Sequence, residues 1–256
     1  MSHKLFIIAD DLGLHKSVND GIIFLLKENK INGASLMANG EAFEDAVRQC
    51  RDNEIEKIGV HLNLVEQLSL VSGRPMLRNH RIFFVRYILG LINKNYIQKE
   101  LKTQMEQVIQ AGIKPNFING NQHLHLLPGI IDIVINLAKE YRIPYIRIVN
   151  ESVSFRNGKL FRQAQLLFLN FLSRLAKDKI RKAGLECNDY FVGFIDAGNL
   201  SRADINLARE LAEKYPDKIV ELGGHPGFES NDLKSKFKHW GNYNWQKELG
   251  VLTNDK

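Results

Sequence analysis

Short runs rich in apolar, β-branched and aromatic residues recur at positions 5–9, 34–38, 58–64, 117–119, 145–149, 191–195 and 219–222, and stretches with helical spacing separate most of them. Parallel strand neighbours need a crossover long enough to hold a helix, so this alternation predicts repeated βα units around a mainly parallel sheet. The expected class is α/β, with an incomplete barrel preferred over an open sheet. Ser17 is placed to cap a helix reaching Glu28, residues 41–51 read as a second helix, and 95–111 as one that stops before Gly112 and Pro115. Pro128 suits the first turn of a helix carrying Ile130, Ile131, Val134, Leu137 and Ala138 on one face, and Ser201 opens another over 202–214.

A chain of 256 residues, 44% hydrophobic and 25% charged, matches one globular domain with a full core, here residues 1–256 without a linker or repeat. Thirty-five basic against 29 acidic residues leave a formal charge of +6, which mildly favours anionic ligands. Basic residues clustered with aromatics in a nucleic-acid module are missing from the pattern, and nucleic acid is not an expected partner. Cys50 and Cys187 lack metal-knuckle or CxxC spacing and read as reduced, buried residues. The apolar run near the start is too short for a secretory signal, and no run approaches the ~18 residues of a membrane span, so the cytoplasm is the expected location.

Two segments break the rhythm. Residues 65–95 carry Arg74, Arg78, His80 and Arg81, then Phe83, Phe84, Tyr87 and Ile88, and suit either a lid over a pocket mouth or a surface excursion with a helix packed outside. Residues 160–184 place Leu160, Phe161, Ala164, Leu167, Phe168, Phe171, Leu172 and Leu175 at helical spacing, ahead of a basic tail of Arg174, Lys177, Lys179, Arg181 and Lys182. This amphipathic basic helix favours core or homodimer surface over a membrane-interface role.

The chemistry-bearing residues follow the apolar runs. Asp10 and Asp11 close the first, His61 sits in the third, His123 and His125 follow the fourth, and His225 follows the last in Gly223-Gly224-His225-Pro226-Gly227. Segments leaving parallel strands converge on one face, so these side chains are expected to meet there. Carboxylate and imidazole are common ligands of a divalent metal, and Asp11, His61 and one of His123 or His125 supply such a set. His123 and His125 are two apart, which on extended backbone points them the same way. Each signal alone also fits a bland role: an Asp-Asp-Leu-Gly turn, a hydrogen-bonded core histidine, a histidine in a glycine turn.

Taken together, Ile7-Ile8-Ala9-Asp10-Asp11-Leu12-Gly13, Gly59-Val60-His61-Leu62-Asn63-Leu64, Gln122-His123-Leu124-His125-Leu126-Leu127-Pro128 and Glu221-Leu222-Gly223-Gly224-His225-Pro226-Gly227 resemble the YdjC-like carbohydrate deacetylases, the family of chitooligosaccharide deacetylase and the hopanoid-associated deacetylase-like proteins. The resemblance implies an irregular, polysaccharide-deacetylase-like (β/α) barrel, a divalent metal such as magnesium or zinc, and hydrolysis of an acetamido group on a sugar. It implies that Asp11, His61 and His125 hold the metal, that Asp10 activates water, and that His225 is the acid for the departing amine. His123, Asn121 and Arg74 are expected to bind substrate. The family pattern has Asp-Ser-His before the His-x-His pair, whereas this chain has Asn119-Gly120-Asn121, which bears on the support of the ligands. The rival readings are a metal-dependent phosphoester hydrolase, a sugar isomerase, or a glycan-binding protein with a decayed site. The basic residues extend the substrate range to anionic or lipid-linked sugars.

Overall fold

The computed structural model describes residues 4–152, 160–241 and 243–255; His3 lies outside them. Seven strands form one sheet: β1 (Leu5–Leu12), β2 (Gly33–Leu36), β3 (Ile58–Leu62), β4 (Phe117–Gly120), β5 (Tyr145–Ile146), β6 (Tyr190–Val192) and β7 (Val220–Gly224). Every paired neighbour is parallel, in the order β5-β4-β3-β2-β1-β7-β6. The central strands β1, β2 and β3 are buried along most or all of their length, as expected where helices cover a parallel sheet.

The sheet curls until its two edges approach. The β5 edge is held against the segment that runs into β6 by main-chain bonds from Glu186 N–H to Pro144 O at 2.8 Å, from Ile146 N–H to Glu186 O at 3.0 Å and from Phe191 N–H to Asn150 O at 2.9 Å. The buried Asn188 amide completes the seam, accepting from Ile148 N–H and donating to Ile148 O, each at 2.8 Å. The expected incomplete barrel is therefore a curled sheet with a short, side-chain-stitched seam.

Nine α-helices among the described residues flank the sheet: α1 (Lys16–Lys27), α2 (Phe43–Asp52), α3 (His80–Ile88), α4 (Lys94–Gln110), α5 (Ile130–Glu140), α6 (Leu160–Lys182), α7 (Arg202–Lys214), α8 (Asn231–Lys236) and α9 (Trp245–Thr253). None is long and apolar enough to cross a membrane. The cap of α1 is His15 rather than Ser17: its Nδ1 accepts the Ser17 N–H at 3.2 Å. Pro128 lies just outside α5, whose N-cap is Gly129 at φ 86°. Ser201 opens α7 as expected, in a capping box with Asp204. Cys50 and Cys187 are free and buried.

Residues 65–79 fold over the C-terminal end of the sheet. The buried Glu100 carboxylate on α4 fixes them, accepting from Ser69 Oγ at 2.7 Å and from the Leu70 and Val71 N–H groups at 3.1 Å each. Helix α3 follows, capped by Asn79.

Candidate active site

The C-terminal ends of the strands surround a cavity of about 310 Å³. Consecutive residues of a regular strand face opposite sides, yet Asp10 and Asp11 both line it. The pairing of β1 with β2 shifts register between Ala9 and Leu12, and Asp11 takes a φ of 69°. A bulge re-aims side chains in this way, and aspartate tolerates left-handed backbone better than most residues.

Asp10 is almost fully enclosed. Its Oδ1 accepts from Ser35 Oγ at 2.8 Å and from Asn119 Nδ2 at 2.9 Å, and its Oδ2 accepts from Arg147 Nη1. Burial alone would raise this carboxyl, but the Arg147 guanidinium and the charges of His61 and His225 hold it well below the usual carboxylate range. Arg147 is itself fully buried and donates through Nε to Glu221, which also accepts from Tyr145 Oη at 2.5 Å. An arginine inside an apolar strand segment, Tyr145-Ile146-Arg147-Ile148, was a legible signal that the sequence reading passed over.

His61 Nδ1 lies 2.7 Å from Asn119 Oδ1. Since Asn119 Nδ2 is spent on Asp10, its oxygen is the acceptor and His61 Nδ1 carries the proton. Nε2 then faces Asp11 Oδ1 at 3.3 Å, donating to it in the protonated ring and presenting a lone pair beside it in the neutral ring. Burial alone would lower the His61 imidazole, but the Asp11 hydrogen bond and the charges of Asp10 and Asp11 lift it above its ordinary value. Asn119, where the family pattern has aspartate, thus bridges two site residues as acceptor to one and donor to the other.

The stretch 121–126 is not extended. It is a tight turn in which Gln122 and His123 adopt φ of 51° and 55°. Such left-handed residues reverse the chain, and the two imidazoles diverge, with ring centres 6.4 Å apart and planes at 57°. His123 lines the cavity against Phe191 and Phe194, whereas His125 lies behind the wall. His125 Nε2 donates to Arg147 O at 2.9 Å, which leaves Nδ1 buried without a hydrogen-bond partner. Gly120 makes room for it: a Cβ there would stand 2.8 Å from His125 Nδ1. Burial, and then neighbouring positive charge, pushes His125 down to about 4 and His123 well below the ordinary value, so both rings are neutral lone-pair donors.

His225 enters from the end of β7. Its main-chain N–H donates to Glu248 at 2.5 Å and its Nε2 stands 4.0 Å from Asp10 Oδ2. The remaining wall was missed from sequence. Trp240 donates through Nε1 to Glu66 at 2.9 Å, Tyr243 packs edge-on against His225 at 5.2 Å, and Arg162 grips the Phe194 carbonyl at 2.7 and 3.1 Å. Burial, with the Asp11 charge adding to it, pushes Glu66 up to about 7 despite the Trp240 hydrogen bond. Asn121 lines the cavity and donates to Asn63 Oδ1. Arg74 does not line it: the residue is exposed on the far part of 65–79, and Arg78 and His80, nearer the strand ends, reach the cavity instead.

The donor set can be tested against a divalent cation. Two ligand atoms adjacent around an ion at about 2.1 Å stand roughly 3.0–3.4 Å apart, and the Asp11–His61 pair meets this at 3.3 Å. His125 presents the protonation pattern of a ligand, one nitrogen donating to a carbonyl and the other orphaned. Its Nδ1 does not close a compact triad with the other two, however. Among the described residues, the only set of three His, Cys, Asp or Glu ligand atoms all within 4.8 Å of one another belongs to His15, Glu41 and Asp232. That set lies outside the cavity and shares the Lys236 ammonium, 2.8 Å from Glu41 and 3.1 Å from Asp232. The cavity residues fit a cation through Asp11 and His61, with His125 as the available third donor.

The YdjC-like protein family model matches residues 4–256. A carbohydrate deacetylase of Clostridium beijerinckii is 32% identical over 90% of this chain and 99% of its own length. One of Oceanobacillus iheyensis is 32% identical over 97% and 95% respectively. One of Brevibacillus brevis is 34% identical over 144 residues, 58% of its length. Among solved structures, one described as a cellobiose-phosphate cleavage protein of Enterococcus faecalis V583 superposes with a TM-score of 0.71 at 20% identity, over all of this chain and 92% of that one. It establishes likeness of fold.

Proposed function

From the membership of this chain in the YdjC-like family, we propose that it is a carbohydrate deacetylase, removing the acetyl group from an acetylated aminosugar in an oligosaccharide or glycoconjugate. The observation that carries this reading is the Asp11–His61 pair, set at ligand spacing beside Asp10 and His225 in one cavity. Full-length relatives named carbohydrate deacetylase support the same reaction.

Asp11 and His61, joined by His125, would hold a divalent ion, zinc or magnesium by donor type. When bound, such an ion polarises the amide oxygen and acidifies water. The chain's own residues do the rest. Asp10, kept ionised by Arg147, accepts the hydrogen of the attacking water and takes its proton as the C–O bond forms. His225 Nε2, facing the same carboxylate, gives a proton to the sugar nitrogen as the C–N bond breaks, so that amide and water become acetate and amine. His123 and Asn121 line the space for the sugar, and the Trp240 and Tyr243 rings supply apolar faces of the kind sugars pack on.

The test is acetate release from an N-acetylated chitooligosaccharide under single-turnover conditions. Release should cease on chelation, return with one added divalent ion, and fall by about 100-fold or more in Asp11→Asn. Release that ignores chelation and survives Asp11→Asn overturns the scheme, and phosphate or an isomeric sugar as product would replace it with a rival reaction.

A further inference from the structure

The net positive charge of the chain is confined to two stretches. Residues 67–99 and 160–176 hold eight Lys or Arg and no Asp or Glu, whereas the rest of the sequence holds 27 basic against 29 acidic residues. The first stretch contains α3 and the second most of α6. The two helices are neighbours: the Phe84 and Phe168 rings meet edge-to-face at 5.5 Å, and the Arg81 guanidinium packs over the Phe161 ring at 4.8 Å.

The same helices hold most of the exposed apolar surface. Of 18 large hydrophobic side chains exposed among the described residues, 11 lie within residues 82–91 and 160–175, each between 43% and 71% exposed. Helix α6 reverses the arrangement expected of a surface helix. Leu160, Phe161, Leu167, Phe168, Phe171 and Leu175 face outward, while Gln163 and Ser173 are buried. A concentrated apolar patch marks an interaction surface, and the charge around this one narrows the partner. Two copies meeting here would bring their cationic stretches together. A specific protein interface carries about one hydrogen bond per 100–200 Å², yet among the exposed side chains of 160–175 only Arg174 is polar. Apolar side chains interspersed with arginine and lysine match the boundary of a bilayer, whose acyl region takes the former and whose headgroup phosphates take the latter.

We propose that the face formed by α3 and α6 docks on the surface of an anionic lipid bilayer, its leucine, isoleucine and phenylalanine side chains entering the headgroup layer and its arginines meeting lipid phosphates. The attachment is peripheral, since no helix among the described residues is long and apolar enough to cross a membrane. Ile88 and Phe171, 61% and 56% exposed, supply the apolar part on the two helices, and the exposed Arg86 and Arg174 supply the charge. Docking of this kind is independent of the reaction in the cavity.

The test mixes the full chain with vesicles of phosphatidylcholine alone and of equal parts phosphatidylcholine and phosphatidylglycerol, and reads the bound fraction by sedimentation. Partitioning should be about tenfold or more stronger onto the anionic vesicles and should weaken as salt is raised. Each arginine lost should cost about fivefold, so Arg86→Gln with Arg174→Gln should remove most of the anionic preference. Ile88→Ser with Phe171→Ser should lower binding by about tenfold or more. All four positions are exposed and away from the candidate active site, so circular dichroism and acetate release from a soluble chitooligosaccharide should stay as in the parent. Equal binding to both vesicles, binding to neither, or anionic binding that survives both double substitutions overturns the proposal. So does self-association that Ile88→Ser with Phe171→Ser abolishes, without vesicle binding.

Discussion

Glu151 is the residue whose removal should most plainly change how stability depends on pH. The residue is 8% exposed, and its carboxylate accepts from the Phe194 N–H at 2.7 Å and the Ile195 N–H at 3.3 Å. Burial pushes it from 4.5 up to about 7, against the pull of these two hydrogen bonds and with the charges of Asp204 and Asp196 adding to the rise. The folded state therefore binds the Glu151 proton more tightly than the unfolded chain does. The contribution of this proton to stability is complete below about pH 4.5 and is lost as pH rises through about 7. At about 1.4 kcal/mol for each pH unit, the loss comes to roughly 3 kcal/mol. Glu151→Gln keeps an oxygen for the two N–H groups and removes the charge. Its stability relative to the parent should be near zero at pH 4.5 and higher by about 3 kcal/mol at pH 8. Urea unfolding at a series of pH values reads the difference, and subtraction cancels Glu66, Glu221 and Glu248, which titrate in both proteins. A difference that stays flat from pH 4.5 to 8, or that favours the parent at pH 8, refutes the reasoning.

Three further outcomes follow from the site. Arg147→Met leaves Asp10 and Glu221 buried without their shared cation and should cost about 3–5 kcal/mol, read as a fall in thermal midpoint; a loss below about 1 kcal/mol would mean the two carboxylates find other partners. Asn119→Ala removes the acceptor that orients His61 and one donor to Asp10, and acetate release should fall about 10–100-fold with an unchanged circular dichroism spectrum. Gly120→Ala drives a methyl group against His125 Nδ1, so divalent-ion affinity measured by competition with a chelating dye should fall while the fold is kept; unchanged affinity would remove His125 from the ligand set.

The elements were legible where local signals decide them. All seven strands coincide with the apolar runs, and α4, α5 and α7 start and stop close to the turn and cap residues that mark them. The strand order was not legible, because it depends on which helix faces fill which gaps across the whole sheet. Within the site, Asp10, Asp11, His61 and His225 were brought together as expected because each lies near the C-terminal end of a strand or just past it and lines one cavity. The divergence of His123 from His125 was not foreseen, since it follows from two left-handed residues that neither Gln122 nor His123 advertises by type. Trp240 and Tyr243 come from a segment separated from the last strand by α8, and only tertiary packing brings them to the site, where Tyr243 meets His225. Arg74 lies away from the cavity lining for a simpler reason: charge in a loop says nothing about which part of the loop leans over the strand ends.

The seam between β5 and β6 gives the molecule a weak line. Elsewhere the curled sheet is sewn by continuous ladders, but here the join is interrupted: an isolated parallel bridge between Tyr145 and Glu186, the bond from Phe191 N–H to Asn150 O, and the side-chain amides of Asn150 and Asn188 between them. Amide protons at Ile148 and Phe191 should exchange with solvent earlier than those of β1, through local opening rather than global unfolding. Arg147, whose side chain reaches Asp10, is the residue next to Ile148 on that line, so breathing of the seam tugs directly on the floor of the cavity.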